Sequence, residues 1–139
     1  LLYALDRYCL RNDMEDVLTQ GKSLVLSRYY YSNIAFQAAK LPPEERAAAE
    51  RWLYALDERM PSADAVLLLD APVGALVNRV SERGSPDLHE ADFSYQEQVR
   101  RLYLALAARE GWPVVDARQE AEKVHAAIWS AVQPLFSRA

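Results

Sequence analysis

Three short apolar runs alternate with longer stretches of helical periodicity, and this alternation limits the fold of the chain more than any other feature. The runs are "SLVLS", "ADAVLLLD" and "WPVVDA", at residues 23–27, 63–70 and 112–117. The second run is apolar on both faces, which is typical of a parallel strand covered by helices on each side. Because parallel strands need crossover connections, and these are almost always right-handed, the order of elements predicts an α/β fold with a parallel sheet.

Six segments carry helical periodicity. They are residues 1–20, ended by Gly21, then 32–40, 42–60, 72–84, 93–110 and the stretch that follows the third strand. The polar segment 85–92 is predicted to be a loop. The side chains expected to face inward from the third, fifth and sixth helices are Ala49, Trp52, Leu53, Leu56, Met60, Phe93, Val99, Leu102, Tyr103, Leu106, Val124, Ile128, Val132 and Leu135.

The composition excludes several classes of protein. A length of 139 residues suits a single domain, and 51% hydrophobic with 26% charged residues is enough to bury a core. The net charge of −4 argues against a nucleic-acid-binding protein, which usually carries a basic excess. The single cysteine, Cys9, excludes an internal disulfide and fits a reducing compartment, so we expect a cytoplasmic protein without a membrane span.

The segment "SRYYYSNIAFQ", residues 27–37, directly follows the first predicted strand. In open parallel sheets, ligands bind beyond the carboxyl ends of the strands, which here are Ser27-Arg28, Asp70 and Asp116. Ordinary loops favour Gly, Pro, Asn, Asp and Ser, whereas this one is dense in aromatic rings and carries a fixed positive charge at its base. The combination indicates a site for a flat, anionic small molecule.

Several side chains of this segment have two interpretations. The planar guanidinium of Arg28 suits phosphate oxygens, and we favour phosphate binding over a surface ion pair because the residue directly follows a predicted buried strand. Ser32 and Asn33 either cap the next helix or, for Asn33, contact the edge of a base, and the sequence leaves these roles open. At least one of the three tyrosines at positions 29–31 is expected to pack against the core.

Charged residues elsewhere also have two interpretations. Arg79 and Arg83 share one helix face, where they either form a solvated surface or act as a cationic arm that closes over a phosphate chain. Glu90, beyond the predicted loop, offers an ion-pair partner for one of them. Asp70 is most simply the N-cap of the next helix, and Asp116 is expected to end its strand and shape a turn. No spacing of histidine and cysteine supports a metal site.

Two separate motifs resemble those of thymidylate kinases, the nucleoside monophosphate kinases that phosphorylate dTMP with ATP. "SRYYYSNIAFQ" is similar to the family's Asp-Arg-Tyr, Ser and Ala-Tyr-Gln pattern, and "LLYALDR" matches at the expected distance upstream. The resemblance runs from Leu1 to about Ala131. It implies a three-layer, P-loop NTPase-like nucleoside monophosphate kinase fold with a parallel sheet.

The resemblance implies a role for each residue of the acceptor site. Tyr3 would stack on thymine, and Arg7 would reach the exocyclic oxygen of that base. Arg28 would hold the phosphate of dTMP. Ser32 and Asn33 would line the base pocket, which favours binding over capping for both. For Arg28, the implied role strengthens the phosphate-binding interpretation.

A lid is implied over residues 79–92. Arg79 and Arg83 would be lid arginines that neutralise charge on the transferred phosphoryl group, and together with the phosphate-binding arginine they would be the catalytic side chains. Glu90 resembles the acidic residue that supports the lid. The resemblance therefore favours a functional interpretation of both arginines over a solvated surface.

The chain departs from the family pattern at two positions of the acceptor segment. Ser27 replaces the family's aspartate, a carboxylate that helps to organise magnesium and the phosphates. Phe36 replaces a tyrosine that packs against the sugar and disfavours a 2′-hydroxyl, so any contact through the phenol oxygen is lost. Gln37 would complete that wall of the pocket.

The P-loop pattern G-x-x-x-x-G-K-[ST] is absent from the sequence. The four glycines, none of them in such a loop, are Gly21, Gly74, Gly84 and Gly111. The resemblance therefore implies a partial thymidylate kinase domain over residues 1–139, without the first strand and the P-loop helix. ATP and Mg²⁺ would be held mainly by the missing part, and the family implies a homodimer. We expect the 139 residues alone to be inactive and prone to self-association.

Three functions remain open at this stage. The parent protein is an active dTMP kinase, a non-catalytic nucleotide-binding paralogue, or a kinase for another deoxynucleoside monophosphate. The serine at position 27 is the reason to consider the paralogue. We expect dTMP and ATP, rather than nucleic acid or a membrane, as the partners.

Overall fold

The computed structural model of the chain describes residues 1–75 and 93–136. The chain divides into two compact units, Leu1–Ala63 and Asp64–Ala139. Among the described residues, no helix combines the length and the apolar character needed to cross a membrane.

The first unit is helical. It contains α1 (Leu2–Cys9), α2 (Arg11–Thr19), α3 (Tyr30–Ala38) and α4 (Pro43–Leu56). Helix α1 contacts α2, and α3 packs against α4. The buried apolar side chains of this unit are Ala4, Ile34, Ala35, Ala38, Ala39, Leu53 and Met60. Small residues dominate the list, so α3 and α4 approach each other closely.

The helix predicted over residues 1–20 is wrong as a single element, because the chain bends at Leu10. There the backbone has φ −86° and ψ −4°, and the N–H of Leu10 donates to the carbonyl of Arg7 at 3.1 Å. This i→i−3 bond tightens the last turn of α1, and the carbonyl of Leu10 then accepts the first bond of α2 from Met14. The predicted stop is confirmed, since Gly21 has φ +72° directly after the C-cap of α2.

The strand predicted over residues 23–27 is also wrong. The structure assigns no strand to this segment, and Val25 is 96% exposed. A short apolar run becomes a strand only when a neighbouring strand accepts its backbone hydrogen bonds. Among residues 1–75 and 93–136, the only pair of hydrogen-bonded strands lies in the second unit.

Helices α3 and α4 lie close to their predicted positions. Helix α3 begins at Tyr30, two residues before the predicted start, and α4 begins at Pro43, where the missing N–H of proline costs no hydrogen bond. Of the side chains predicted to face inward here, Leu53 and Met60 are buried. Trp52 is 52% exposed, which contradicts its predicted inward position.

The second unit contains a two-stranded parallel sheet. Strand β1 (Leu68–Asp70) pairs with β2 (Val114–Asp116), and Asp70 lies opposite Asp116 in the register. Helix α5 (Phe93–Glu110) contacts β1, and α6 (Ala121–Phe136) contacts β2. The parallel pairing and the positions of both strands within their apolar runs confirm the predicted strands. The predicted covering of β1 on both faces is wrong, because Leu69 is 51% exposed.

The core of the second unit agrees with the predicted helix faces only in part. Val99 and Leu106 of α5 are buried as expected, together with Val115 of the sheet. Phe93 and Leu135, both predicted to face inward, are 51% and 40% exposed. Both lie in the outermost turns of their helices, where few neighbours are available to cover a side chain.

Candidate functional site

The residues predicted for the acceptor site all fall in the first unit. Those on α1 are Tyr3 and Arg7, and those on the loop and on α3 are Arg28, Ser32, Asn33, Phe36 and Gln37. The predicted lid residues Arg79, Arg83 and Glu90 lie outside the described residues, as do most of the helix predicted over 72–84 and the loop 85–92.

Arg7 forms a two-pronged ion pair with Asp57, the C-cap residue of α4. Its Nε donates to Oδ1 of Asp57 at 2.9 Å, and its Nη2 donates to Oδ2 at 2.6 Å. The side chain of Asp57 is 2% exposed and that of Arg7 is 16% exposed. This planar fork fixes the guanidinium more firmly than a single bond would. Three N–H groups of Arg7 are left for other acceptors.

Arg28 has an unusual backbone conformation. It is the only non-glycine residue with a positive φ in the described part of the chain, at +72°. Its guanidinium carbon lies 5.0 Å from the centre of the Phe36 ring, in a cation–π contact, and the residue is exposed. A left-handed conformation is costly for a side chain with a Cβ, and such strain is concentrated at functional sites. The contact places a cationic group at the edge of α3.

Asn33 is buried without a partner for its amide nitrogen. The residue is 7% exposed, and its Nδ2 is the one buried side-chain polar atom without a hydrogen bond among the residues that the structure describes. Buried donors are almost always paired, so an unpaired one needs a specific explanation.

The capping interpretation of Ser32 and Asn33 is wrong. The N-cap of α3 is Tyr29, with extended backbone and no side-chain cap bond, so both residues lie inside the helix. Ser32 is half-buried, as are Phe36 and Gln37. Residues three and four apart share one helix face, so these side chains line a single strip of α3.

Tyr3 lies one helical turn from Arg7 on α1 and is 70% exposed. Because residues four apart share a helix face, its ring and the Arg7 side chain lie on the same side of α1. An exposed ring beside a fixed guanidinium is available for stacking on a flat ligand.

The three tyrosines at positions 29–31 are held by packing, which confirms that at least one of them has a structural role. The hydroxyl of Tyr30 donates to that of Tyr31 at 2.9 Å, and both rings meet Tyr54 of α4 edge-on. Burial raises the pKa of Tyr30 above its ordinary value, with a further rise from the hydroxyl of Tyr31. These rings join α3 to α4.

Tyr29 connects the loop to the Arg7–Asp57 pair. Its hydroxyl donates to the carbonyl of Pro61 at 3.0 Å. Burial raises the pKa of Tyr29, and the nearby carboxylate of Asp57 raises it further, while Arg7 acts in the opposite direction. The loop that carries Arg28 is therefore joined, through Tyr29, to the turn after α4, which also binds Arg7 through Asp57.

A second charged cluster lies at the carboxyl ends of β1 and β2. Both oxygens of Asp70 accept bonds from Arg100 of α5, at 2.7 and 2.8 Å, and most of the helix that Asp70 is predicted to cap lies outside the described residues. Asp116 binds Arg118 in the same two-pronged manner and also accepts the backbone N–H of that residue, which confirms the predicted turn. Pro72 and Val114 join these residues around an open cavity of about 230 Å³.

The arginine partners lower the pKa of both carboxyl groups. The hydrogen bonds from Arg100 hold the pKa of Asp70 below its ordinary range. The side-chain and backbone bonds from Arg118 lower the pKa of Asp116 to about 2. Both aspartates are therefore ionised at neutral pH and neutralised by the neighbouring guanidinium groups.

Sequence reasoning missed Asp57 and Arg100. Asp57 lies 50 positions from Arg7, and Arg100 lies 30 positions from Asp70. No local pattern links residues so far apart. The aspartate at the end of α4 looks like any polar residue that ends a helix, and only the packed structure identifies its partner.

Comparisons with known proteins agree with the resemblance in the sequence. A family model described as thymidylate kinase matches residues 1–128. A protein of Thermococcus kodakarensis named probable thymidylate kinase is 32% identical over 140 residues, which cover 98% of this chain and 64% of that relative. A protein of Pyrobaculum aerophilum with the same name is 31% identical over 127 residues, which cover 91% of this chain and 62% of the relative.

The chain therefore spans between 62% and 64% of the length of these two relatives. No solved structure matches the chain.

Proposed function

This chain belongs to the thymidylate kinase family, and from that membership we propose that its protein transfers the γ-phosphoryl group of ATP to dTMP, giving dTDP and ADP. A phosphate oxygen of dTMP attacks the γ-phosphorus in line, and the bond from that phosphorus to the β–γ bridging oxygen breaks. Positioning and charge neutralisation supply the catalysis, without a covalent intermediate.

The observation that carries the proposal is the buried, unpaired amide of Asn33. We propose that this nitrogen donates to a carbonyl oxygen of the pyrimidine base, an acceptor that would satisfy it. Thymine has two such oxygens, so both Asn33 and Arg7 can donate to the same base. Removing either donor would leave a base oxygen unpaired.

Other residues of the first unit complete the acceptor site in this proposal. Tyr3 stacks on the thymine ring, and Arg7 donates to its exocyclic oxygen. Arg28 binds the phosphate with its planar fork. Phe36 packs against the sugar, where it leaves little room for a 2′-hydroxyl, and Gln37 extends the same wall. Ser32 adds a hydroxyl to the base pocket.

ATP and Mg²⁺ are assigned to a part of the protein outside this sequence. None of the described residues form a group of three His, Cys, Asp or Glu side chains that would hold a metal ion, and Ser27 replaces the aspartate of the family pattern. The P-loop pattern is absent, and the relatives are longer than this chain. We therefore propose that a first strand and a P-loop helix precede these residues in the complete protein and bind the ATP phosphates.

The lid residues are proposed to act on the transferred group. Arg79 and Arg83 neutralise charge on the γ-phosphoryl group, and Glu90 supports the lid through an ion pair. Since Arg28 binds the phosphate of dTMP in this proposal, guanidinium groups contact both the acceptor phosphate and the transferred γ-phosphoryl group.

A coupled assay on the protein expressed from its complete natural coding sequence tests the proposal. ADP formation should depend on dTMP. In the variant Asn33→Ala, kcat/KM for dTMP should fall at least tenfold, because a hydrogen bond to the base is lost. The matched control is Glu15→Gln, which removes one charge from a half-buried ion pair on α2 and should leave both constants unchanged. Nucleotide binding without ADP formation would identify a non-catalytic paralogue, the alternative that Ser27 suggests. A preference for dUMP, dCMP or dGMP over dTMP would identify a different acceptor.

A further inference from the structure

Asp57, the partner of Arg7, contacts neither substrate in the proposed reaction. Asp57 lies at the C-cap of α4, buried to 2% side-chain exposure, and its whole carboxylate faces the guanidinium of Arg7. We propose that Asp57 is a positioning residue that orients Arg7 toward the acceptor base and thereby sets the preference for a base with a carbonyl oxygen. This inference rests on the proposed function.

The argument begins with the hydrogen-bonding capacity of the guanidinium group. Arg7 has five N–H donors and no acceptor, and its Nε and one N–H of Nη2 are used by Asp57. Because the group is planar, the two donors of Nη1 then point away from the carboxylate. The ion pair therefore selects which edge of Arg7 faces a ligand.

A donor edge held in a fixed orientation distinguishes pyrimidines. Thymine and uracil carry an oxygen at position 4, which accepts a hydrogen bond, whereas cytosine carries an amino group, which donates. Two donors facing each other leave both unpaired, and a buried unpaired polar group is strongly disfavoured. A guanidinium that is free to rotate can turn aside from the amino group. The discrimination between thymine and cytosine therefore depends on the two-pronged pair of Arg7 with Asp57.

The surroundings of Asp57 point to the same role. The turn that follows α4, residues 57–61, holds Arg7 through Asp57 and Tyr29 through the carbonyl of Pro61. Within the turn, the N–H of Met60 donates to the carbonyl of Asp57 at 2.9 Å, and Met60 is buried. One rigid turn thus anchors both α1 and the loop that carries the phosphate-binding arginine.

The test measures KM and kcat for dTMP, dCMP and ATP in the protein expressed from its complete natural coding sequence. In Asp57→Asn, we expect the KM for dTMP to rise about tenfold and the kcat/KM ratio of dTMP to dCMP to fall, with the KM for ATP unchanged. Asp57→Glu keeps the charge one methylene away and should recover part of both losses. Glu15→Gln, which removes the charge of a half-buried ion-pair residue in the same unit, should match the wild type.

A double-mutant cycle separates positioning from stability. If Asp57 acts through Arg7, Asp57→Asn should cause no further change in the dTMP-to-dCMP ratio once Arg7→Ala is present. An additional loss in that background, or an unchanged ratio in Asp57→Asn, overturns the inference. Should Asp57→Asn fail to fold in a urea titration, Asp57→Glu carries the test, and wild-type KM and ratio in that folded variant overturn the inference as well.

The same measurements distinguish this inference from the proposed function. A wild-type protein without dTMP-dependent ADP formation defeats the proposed function. A wild-type protein that phosphorylates dTMP, combined with an unmoved ratio in the Asp57 variants, defeats only the positioning role.

Discussion

Two residues of the proposed acceptor site carry a free-energy cost in the unliganded protein. Arg28 holds a left-handed backbone, and Asn33 buries an amide nitrogen that lacks a partner. Each feature disfavours folding by about 1–3 kcal/mol. A ligand that satisfies both groups offsets these costs, so substitutions at the two positions should separate stability from binding.

The backbone strain at Arg28 predicts that glycine is the more stable replacement. Glycine tolerates φ +72° without a Cβ penalty. The free energy of unfolding of Arg28→Gly should therefore be about 1 kcal/mol higher than that of Arg28→Ala. Both variants should lose dTMP binding, because neither has a guanidinium. Urea titration and calorimetry measure the two quantities. Equal stability of the glycine and alanine variants would contradict the assigned strain.

The unpaired amide of Asn33 predicts an unusual result for a buried polar residue. Asn33→Ala should leave the free energy of unfolding unchanged or raise it by about 1 kcal/mol, because no protein hydrogen bond is lost and alanine favours the helix. Asn12→Ala, at an exposed position of α2, corrects for the gain in helix propensity. If Asn33→Ala instead lowers the free energy of unfolding by about 2 kcal/mol, the amide is paired in the folded protein.

At the scale of elements, the sequence predicts helices better than it predicts the first strand. Helix α5 spans the residues 93–110 that periodicity predicts, since its pattern is long enough to define a face. The apolar runs that contain β1 and β2 form strands because they pair with each other. The run at 23–27 is also apolar but has no partner among the described residues, and apolar character does not specify a partner.

The helix stop at Gly21 predicts opposite effects for two glycine substitutions. Its N–H donates to the carbonyl of Leu18, and the N–H of Lys22 donates to that of Val17, which together form a Schellman motif. Gly21→Ala should lower the free energy of unfolding by about 1 kcal/mol through strain at φ +72°, although no atom lies within 4 Å of the added Cβ. Gly74→Ala, in open space and without a positive φ, should raise it by about 0.5–1 kcal/mol. Thermal unfolding followed by circular dichroism compares the two, and a similar loss in both would rule out the assigned conformation at Gly21.

The charged edge of the sheet predicts how Asp116 titrates. Since the folded chain lowers its pKa from 3.8 to about 2, folding favours the ionised carboxylate, and this contribution to stability is present above about pH 4 and lost as the pH falls toward 2. Carboxyl ¹³C shifts should therefore give a midpoint near 2 for Asp116. In Arg118→Ala the midpoint should return toward 3.8, while Asp70, held by Arg100, keeps its low pKa. Arg109→Ala is the control, and a midpoint that stays near 2 in Arg118→Ala would contradict the assigned cause.

At the scale of the whole molecule, the sequence points to the residues that we propose to bind the ligand, but not to the residues that hold them in place. Arg7, Arg28 and Asn33 belong to short motifs, whose spacing is visible in the sequence. Asp57 follows α4 and meets Arg7 of α1 only in the folded first unit. Long-range partners of this kind depend on helix packing, which a single sequence does not encode locally.

The exposed apolar residues predict the behaviour of these 139 residues in isolation. Val25 is 96% exposed, Leu2 83% and Leu5 61%, a large apolar surface for one unit of this size. We expect the isolated chain to self-associate, because burying such surface between copies is favourable, and to form no dTDP, because it contains no P-loop pattern. Light scattering after size exclusion should give a mass that rises with concentration, and Val25→Lys should lower that mass. Gln20→Lys, an equal change of charge at an exposed polar position, should not. A monomer with a sharp melting transition would contradict the first expectation, and dTDP formation by these residues alone would contradict the second.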